Sequence, residues 1–160
     1  MSEEVHFVIT LFGMVSIFVL IFSVASLALH FRILLLRGNA DDSFAHAETL
    51  LRKHVDLFYD FGINHEDGRE LCMMCEEADV SHAREAFVAL PKIEKALGRL
   101  KVDNEKLAPL EGNKLELTDA AREYNNRIEK YNRFISKPPG SVMALVVGLK
   151  QEKMLRIQQS

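Results

Sequence analysis

The chain has 160 residues, a net charge of −3 at pH 7 and no tryptophan. That length allows one compact domain and is too short for two domains of ordinary size. The charge gives no basic surplus over the whole chain, which argues against nucleic acid as a partner. Few glycines and prolines, together with abundant Leu, Ala, Glu, Lys and Arg, favour an all-α fold.

The first predicted element is a hydrophobic segment that has no charged residue between Glu4 and Arg32. A helix needs about 20 residues to cross a hydrocarbon core of about 30 Å, so this segment is long enough. A cleaved signal peptide would begin with basic residues and have a shorter apolar core. A soluble helix that is apolar on every side would need a larger protein around it. We predict a transmembrane anchor from Val5 to Leu29, within an N-terminal region of residues 1–37.

The orientation of the anchor follows from the basic residues beside it. No Lys or Arg precedes the segment, whereas Arg32 and Arg37 follow it. Because flanking basic residues stay in the cytoplasm, we expect the N-terminus outside and the remaining chain in the cytoplasm, with membrane lipid as a partner. The two cysteines agree with a reducing compartment, where free thiols persist.

Residues 38–137 are predicted to form a helical bundle. Gly38-Asn39 is expected to break or loosen the first helix before an N-cap cluster at Asp41-Asp42-Ser43. Apolar residues then recur at helical spacing from Phe44 to about Phe61, and Gly62-Ile63-Asn64 resembles a C-cap and turn. This pattern predicts the first soluble helix.

A second helical pattern is predicted from about His65 to about Val102, with Pro91 as its end or as a kink. The segment from Asp103 to Asn113 contains Pro109 and Gly112 and is predicted to be a connection. If Pro91 is a true corner, the soluble domain contains four helices, arranged as an antiparallel up-and-down bundle.

The last long helix has the clearest pattern, an apolar stripe with alternating steps of four and three residues. The stripe consists of Leu117, Ala121, Tyr124, Ile128, Tyr131 and Ile135. Pro138-Pro139-Gly140 is predicted to stop this helix and to open a C-terminal region of residues 138–160. That region contains a short apolar segment, Val142–Leu149, followed by a polar tail.

The stretch 121–149 resembles the C-terminal signature of the LemA family of membrane-anchored bacterial proteins. The matching residues are two Tyr-Asn pairs seven positions apart and a set of aliphatic, proline and small residues: Tyr124, Asn125, Ile128, Tyr131, Asn132, Ile135, Pro139, Gly140, Ala144 and Gly148. Pro138, Ser141 and Leu149 depart from the family pattern, and the upstream match is short and gapped. The resemblance implies a shortened, divergent LemA-like protein with a four-helix up-and-down bundle behind an anchor in the bacterial inner membrane. The family's biochemical role is not established.

The paired tyrosines and asparagines allow a structural and a functional interpretation. Tyr124 and Tyr131 lie on the apolar stripe, where their rings would pack and their hydroxyls would reach a polar edge. Asn125 and Asn132 lie at its margin, although Asn is unfavourable inside a helix. We expect these asparagines to form interhelical hydrogen bonds that fix register, or to contact a partner.

Other chemistry has weak candidates. Cys72 and Cys75 form a C-x-x-C pattern, and His82 is a candidate for a third ligand, but a structural zinc site needs four ligands. Two cysteines on an amphipathic helix are more often small core residues. Asp79 and His82 resemble half of a di-metal bundle site whose second half is missing. We predict no catalytic residues, no cofactor and no enzyme activity.

These patterns leave three functional hypotheses. The first is a membrane-tethered scaffold or adaptor that binds a protein partner or itself. The second is a metal-dependent or redox protein that uses Cys72, Cys75 and His82. The third is lipid-surface sensing by the C-terminal end, because residues 122–160 contain 8 Lys or Arg against 3 Asp or Glu, whereas residues 38–121 contain 10 against 18. No small-molecule substrate is indicated.

Overall fold

The structure is a computed structural model that describes residues 2–78, 82–100 and 104–155, and these described residues contain helices and no strand. The helices are α1 (Ser2–Ile63), α2 (Arg69–Glu77), α3 (Ala83–Leu97), α4 (Asn104–Ile135) and α5 (Gly140–Val147). Residues 150–155, here called the tail, follow α5 and belong to no helix or strand. The prediction of an all-α fold is confirmed.

The anchor and the first soluble helix form one helix, α1, of 62 residues. The expected break at Gly38-Asn39 is therefore wrong. A glycine inside a helix costs about 1 kcal/mol, and packing offsets this cost here because Ala40 is fully buried and Arg127 of α4 donates to the Asn39 carbonyl at 3.0 Å. Ser43 is not an N-cap either, since its hydroxyl donates one turn back to Asn39 at 2.9 Å.

The two halves of α1 differ in exposure. Large apolar side chains from Phe7 to Phe31 face outward, and Phe18 is 78% exposed, whereas Ile33 is 2% exposed. Exposure of this many large apolar residues on all sides is costly in water and favourable in lipid. By length and composition α1 could cross a membrane, which agrees with the predicted anchor between Val5 and Leu29.

The second half of α1 packs against α4, and these two helices supply most of the core. Their contacting residues run in opposite directions along the two helices: Arg32 with Phe134, Asn39 with Arg127, Phe44 with Tyr124, and Lys53 with Glu116. The predicted stripe on α4 is buried throughout, from 0% exposure at Ala121 to 6% at Ile135. The predicted helix end at Gly62-Ile63-Asn64 is confirmed, since α1 ends at Ile63. The last long helix, α4, ends at Ile135, just before the predicted stop at Pro138-Pro139-Gly140.

The corner predicted at Pro91 lies elsewhere. Pro91 is inside α3, whereas α2 ends at Glu77 with Ala78 as its cap, and α3 begins at Ala83 after His82. The intervening sequence contains Asp79 and Ser81, residue types that favour caps over helix interiors. Burial of Ile93 and Ala96 after the proline keeps α3 packed on the core in spite of the lost backbone donor.

The predicted connection from Asp103 to Asn113 is also wrong, because α4 already begins at Asn104 and contains Pro109 and Gly112. Leu110 and Asn113 in this stretch are 5% and 3% exposed. Packing of these side chains against the core therefore outweighs the poor helix propensity of proline and glycine.

A gap separates α3 from α4. Among the described residues, no Cα atom of α3 lies within 8 Å of a Cα atom of α4. The tail bridges the gap near the start of α3, through contacts described below. Near the end of α3, an ion pair between Lys114 and Glu94 at 2.9 Å crosses it.

The α4–α5 corner returns the chain toward α4. A Cβ atom on Gly140 would overlap the carbonyl oxygen of Phe134, so this close approach requires glycine. Gly148 ends α5 in the left-handed conformation, with φ of 72°, and the Leu149 amide donates to the Ala144 carbonyl at 2.8 Å. After this cap the tail runs back along α4 in the opposite direction.

Candidate functional site

The two asparagines of the Tyr-Asn pairs bind the main chain of the tail. The Asn132 side chain accepts from the Glu152 amide at 2.9 Å and donates to the Glu152 carbonyl at 2.8 Å. Asn125 repeats this fork on Leu155, at 2.8 and 2.9 Å. Each asparagine therefore satisfies both main-chain groups of one tail residue, as a neighbouring strand would do.

The spacing of the two forks matches an extended peptide. Asn125 and Asn132 are seven positions apart, which is about 10.5 Å along a helix rising 1.5 Å per residue. Glu152 and Leu155 are three positions apart, which is about 10 Å along an extended chain. A helical partner would advance only about 4.5 Å over three residues, so the two forks fit an extended segment and not a helix.

The tyrosines add a second row of contacts to the same segment. The Tyr124 hydroxyl donates to the Lys153 carbonyl at 3.1 Å, and the Tyr131 hydroxyl reaches the Lys150 carbonyl at 3.5 Å. Both tyrosines are at most 2% exposed, so their rings fill the core while their hydroxyls emerge beside the tail. Burial raises the pKa of both phenols and keeps them as neutral donors.

Three side chains of the tail make specific contacts, and one of them is the Gln151 amide, which donates to the Ser136 hydroxyl at 2.7 Å. Arg84, at the start of α3, donates to the Glu152 carboxylate at 3.2 Å and to the Tyr124 hydroxyl at 3.2 Å. Leu155 is 6% exposed and belongs to the core, whereas Met154 is 49% exposed. We call the surface formed by Tyr124, Asn125, Tyr131, Asn132 and Arg84 the Tyr-Asn groove.

The groove corrects the expectation for the asparagines. They form no interhelical hydrogen bond among the described residues, and instead bind the extended tail. Sequence reasoning missed Arg84, Glu152 and Leu155 altogether. One signal in the sequence could have indicated an extended ligand: the distance along the helix between Asn125 and Asn132 equals the length of three extended residues.

The remaining residues of the LemA-like signature lie in α4, in α5 and at the turns that direct the tail toward α4. Ile128 and Ile135 are buried in the α4 stripe, and Ala144 packs α5 on the bundle at 5% exposure. Pro139 is the residue before α5 and follows a cis peptide bond from Pro138. Together with Gly140 and Gly148, these residues place the tail on the Tyr-Asn groove.

A second surface lies where the soluble part meets the exposed half of α1. Arg32 stacks over the Phe134 ring at 5.3 Å, and Lys130, Arg133 and Lys137 line the same shallow pocket. On the adjacent α5, large apolar side chains face outward: Val142 at 62% exposure, Leu145 at 83% and Val146 at 77%. Met143 and Ala144 pack inward. The predicted apolar segment is thus split between a bundle-packed side and an exposed side.

The two cysteines lie on α2 as core and near-core residues. Cys75 is 4% exposed, and burial together with neighbouring Cys72 raises its thiol pKa to about 12, so the thiol is protonated and unreactive at neutral pH. Cys72 lies 3.8 Å from the Tyr59 carbonyl. His82 precedes α3, and its predicted companion Asp79 lies outside the described residues. In the described parts of the chain, no three His, Cys, Asp or Glu side chains cluster as metal ligands would.

Sequence reasoning also missed a buried polar pair at the far end of the gap. His54 and Asn113 are 1% and 3% exposed, and none of their side-chain nitrogen and oxygen atoms has a hydrogen-bond partner of good geometry in the described protein. His54 borders a cavity of about 440 Å³ whose rim includes Glu94 and Lys114. Burial lowers the pKa of His54, against the opposing influence of Asn113 and Glu94.

Comparison with family models, with curated proteins and with solved structures finds no match to this chain. Membership of the LemA family, predicted from the residues of 121–149, accordingly stays a prediction.

Proposed function

We propose that this chain is a LemA-like, membrane-tethered adaptor that holds a protein partner close to the membrane surface. The observation that carries the proposal is the continuity of α1, whose exposed apolar half runs without interruption into the half packed on α4. A stiff helix of this kind fixes the distance between the soluble part and the bilayer, whereas a flexible linker would let that distance vary. A fixed surface near the membrane is what an adaptor needs.

The proposed arrangement has the N-terminus outside and the soluble part in the cytoplasm of a bacterium, at its inner membrane. Arg32 and Arg37 support this orientation, since they follow the exposed apolar half of α1. We further propose that the second half of α1, α2, α3 and α4 form a four-helix up-and-down bundle. The reversed pairing of α1 with α4 supports this arrangement.

Affinity capture from gently solubilised membranes tests the adaptor function. The tagged full chain should return one reproducible partner at near-stoichiometric amount. A matched control is a chain whose α1 exposed half is replaced by an unrelated transmembrane helix joined to residue 33 through a Gly-Ser linker, because it keeps the membrane but loses the rigid tether. Partner loss in that control supports the proposal, and repeated recovery of the full chain alone and monomeric contradicts it.

We propose as a second candidate that α5 and the basic residues beside it contact the lipid surface. The supporting observation is the pairing of outward-facing Val142, Leu145 and Val146 with a pocket lined by Arg32, Lys130, Arg133 and Lys137. Apolar side chains insert at the boundary between headgroups and acyl chains, and each basic residue near anionic lipid contributes about 1 kcal/mol.

Fluorescence quenching in nanodiscs tests this lipid contact. The full chain, with both native cysteines changed to Ser, carries a fluorophore at Leu145→Cys or, as a control on α4, at Glu116→Cys. Quencher-labelled lipids should quench the probe at position 145 and leave that at position 116 bright, with stronger quenching in anionic lipid. Equal brightness at both positions would refute the lipid contact.

A further inference from the structure

The tail binds the Tyr-Asn groove mainly through main-chain atoms. Six hydrogen bonds from the groove reach amides or carbonyls of Lys150, Glu152, Lys153 and Leu155. Main-chain bonds are independent of sequence, so a groove of this design accepts any chain that is extended at the same register. Three tail side chains make contacts of their own: Arg84 pairs with the Glu152 carboxylate, the Gln151 amide donates to the Ser136 hydroxyl at 2.7 Å, and Leu155 is buried.

Most side chains of the tail lie outside the core. It contains no helix, and Lys150, Gln151, Lys153 and Met154 all have exposed side chains. It leaves α5 at Gly148, whose φ of 72° marks a turn with open space around the Cα atom. The tail is therefore held by two forks, two tyrosine hydroxyls, one ion pair, the Gln151–Ser136 hydrogen bond and one buried leucine, and none of these contacts requires a covalent connection to α5.

We propose that the Tyr-Asn groove is a binding site for an extended segment of a partner protein, and that the tail competes with that segment for the groove. The charge of Arg84 and the burial of Leu155 define the partner segment as an acidic residue followed three positions later by leucine. This inference rests on the proposed adaptor function, because it names the surface at which the partner would dock.

The covalent connection gives the tail an advantage over any free segment. A tethered ligand acts at an effective concentration on the order of millimolar, so a partner segment of equal intrinsic affinity displaces it only when the tail is weakened or the partner makes further contacts. The tail would therefore prevent the groove asparagines and the two tyrosine hydroxyls from binding unrelated peptides.

The experiment uses the full chain in nanodiscs and a fluorescent peptide of residues 149–156 as the probe. Glu152→Pro with Leu155→Pro releases the tail, since proline removes both N–H groups that donate to the asparagines and also removes the Glu152 and Leu155 side chains. Loss of the tethered competitor should strengthen probe binding at least about tenfold relative to the unmodified chain. A probe peptide carrying the same two prolines should bind neither protein.

The groove itself is tested in the tail-released chain. Asn125→Ala with Asn132→Ala should abolish probe binding, whereas Asn126→Ala, at an exposed asparagine on the same helix, should leave it unchanged. Circular dichroism of each variant checks that the helices persist. Probe binding that survives the loss of both groove asparagines, or no probe binding by the tail-released chain, would overturn the inference.

Two further measurements separate the possible sources of failure. If affinity capture returns a partner equally with the intact groove and with Asn125→Ala/Asn132→Ala, the adaptor function stands and the groove inference fails. If the probe binds as expected but no partner is ever captured, the groove stands and the adaptor function fails. Mass photometry tests whether the groove instead binds the tail of a second copy of this chain. If the unmodified chain forms dimers and the tail-released chain does not, the tail of a second copy occupies the groove, and the inference of a different partner protein is wrong.

Discussion

The two ends of the gap between α3 and α4 differ in whether their partly or fully buried polar side chains have hydrogen-bond partners. Near the start of α3, Asn125 and Asn132 each make two hydrogen bonds to the tail. Near its end, His54 and Asn113 are buried without a hydrogen-bond partner in the described protein. A buried polar group stabilises a fold only when a partner replaces the water it has lost, so one end should strengthen the fold and the other should weaken it.

The largest expected effect is the loss of the two forks. Asn125→Ala with Asn132→Ala removes four hydrogen bonds and frees the tail. Each such bond contributes about 1 kcal/mol net, and the freed tail regains some entropy, so the free energy of unfolding should fall by about 2–4 kcal/mol. Urea unfolding in detergent micelles, followed by circular dichroism, measures the change.

The exposed Asn126 supplies the control for this measurement, since Asn126→Ala should change stability by no more than about 0.5 kcal/mol. Hydrogen exchange gives an independent reading, because the amides of Glu152 and Leu155 should lose protection in the double variant alone. Protection that persists without the asparagines would show that the forks do not hold the tail.

The buried pair should respond in the opposite direction. Replacing both members of an unsatisfied polar pair by apolar residues removes their desolvation penalty, and the cavity that His54 borders leaves room for the leucine at position 54. His54→Leu with Asn113→Leu should therefore raise the free energy of unfolding by about 1–3 kcal/mol. Each single change should help less, because it leaves the other polar group buried. Destabilisation by the double change would contradict the absence of a partner.

The pH dependence of the free energy of unfolding should report on the burial of His54. Its pKa is lower in the folded protein than the ordinary value of 6.5, mainly because of burial, with the neighbouring Asn113 side chain and Glu94 opposing the shift and Lys114 adding to it. Above pH 6.5 both folded and unfolded states hold a neutral imidazole. As the pH falls below 6.5 the unfolded state takes up the proton first, so stability declines until the folded pKa is reached.

Unfolding free energies measured from pH 7.5 downward check this sign. His54→Leu should flatten the decline that begins near pH 6.5, whereas His46→Gln, at an exposed histidine, should leave the decline as it is in the unmodified chain. Identical pH profiles for the unmodified chain and His54→Leu would show that His54 is equally easy to protonate in both states.

The sequence predicts what depends on periodicity and fails where packing competes with local propensity. The stripe from Leu117 to Ile135 and the apolar half of α1 follow from spacing and hydropathy alone, and both predictions agree with the structure. Gly38, Pro91 and Pro109 indicate breaks by propensity, yet all three lie inside helices because burial around them is worth more than the local cost.

The candidate site was predictable only in part for a different physical reason. The sequence places Tyr124, Asn125, Tyr131 and Asn132 on one side of a helix, but it does not show which segment returns to that side. The return depends on the turn at Gly140 and the left-handed cap at Gly148, which set direction through local geometry. His54 and Asn113 are far apart in sequence, so their pairing depends on tertiary packing that no local pattern carries.

The smallest expected effect distinguishes the two tyrosines within the groove. The Tyr124 hydroxyl bonds both the Lys153 carbonyl and Arg84, whereas the Tyr131 hydroxyl lies 3.5 Å from its single tail acceptor, at the limit of a hydrogen bond. Tyr124→Phe should therefore lower the free energy of unfolding by about 1 kcal/mol, and Tyr131→Phe by less than about 0.5 kcal/mol. Both changes keep the buried ring, so the difference between them reports the hydroxyls alone. Equal losses would mean that both hydroxyls hold the tail equally, and the register of the tail would then be set by the tyrosines as much as by the asparagines.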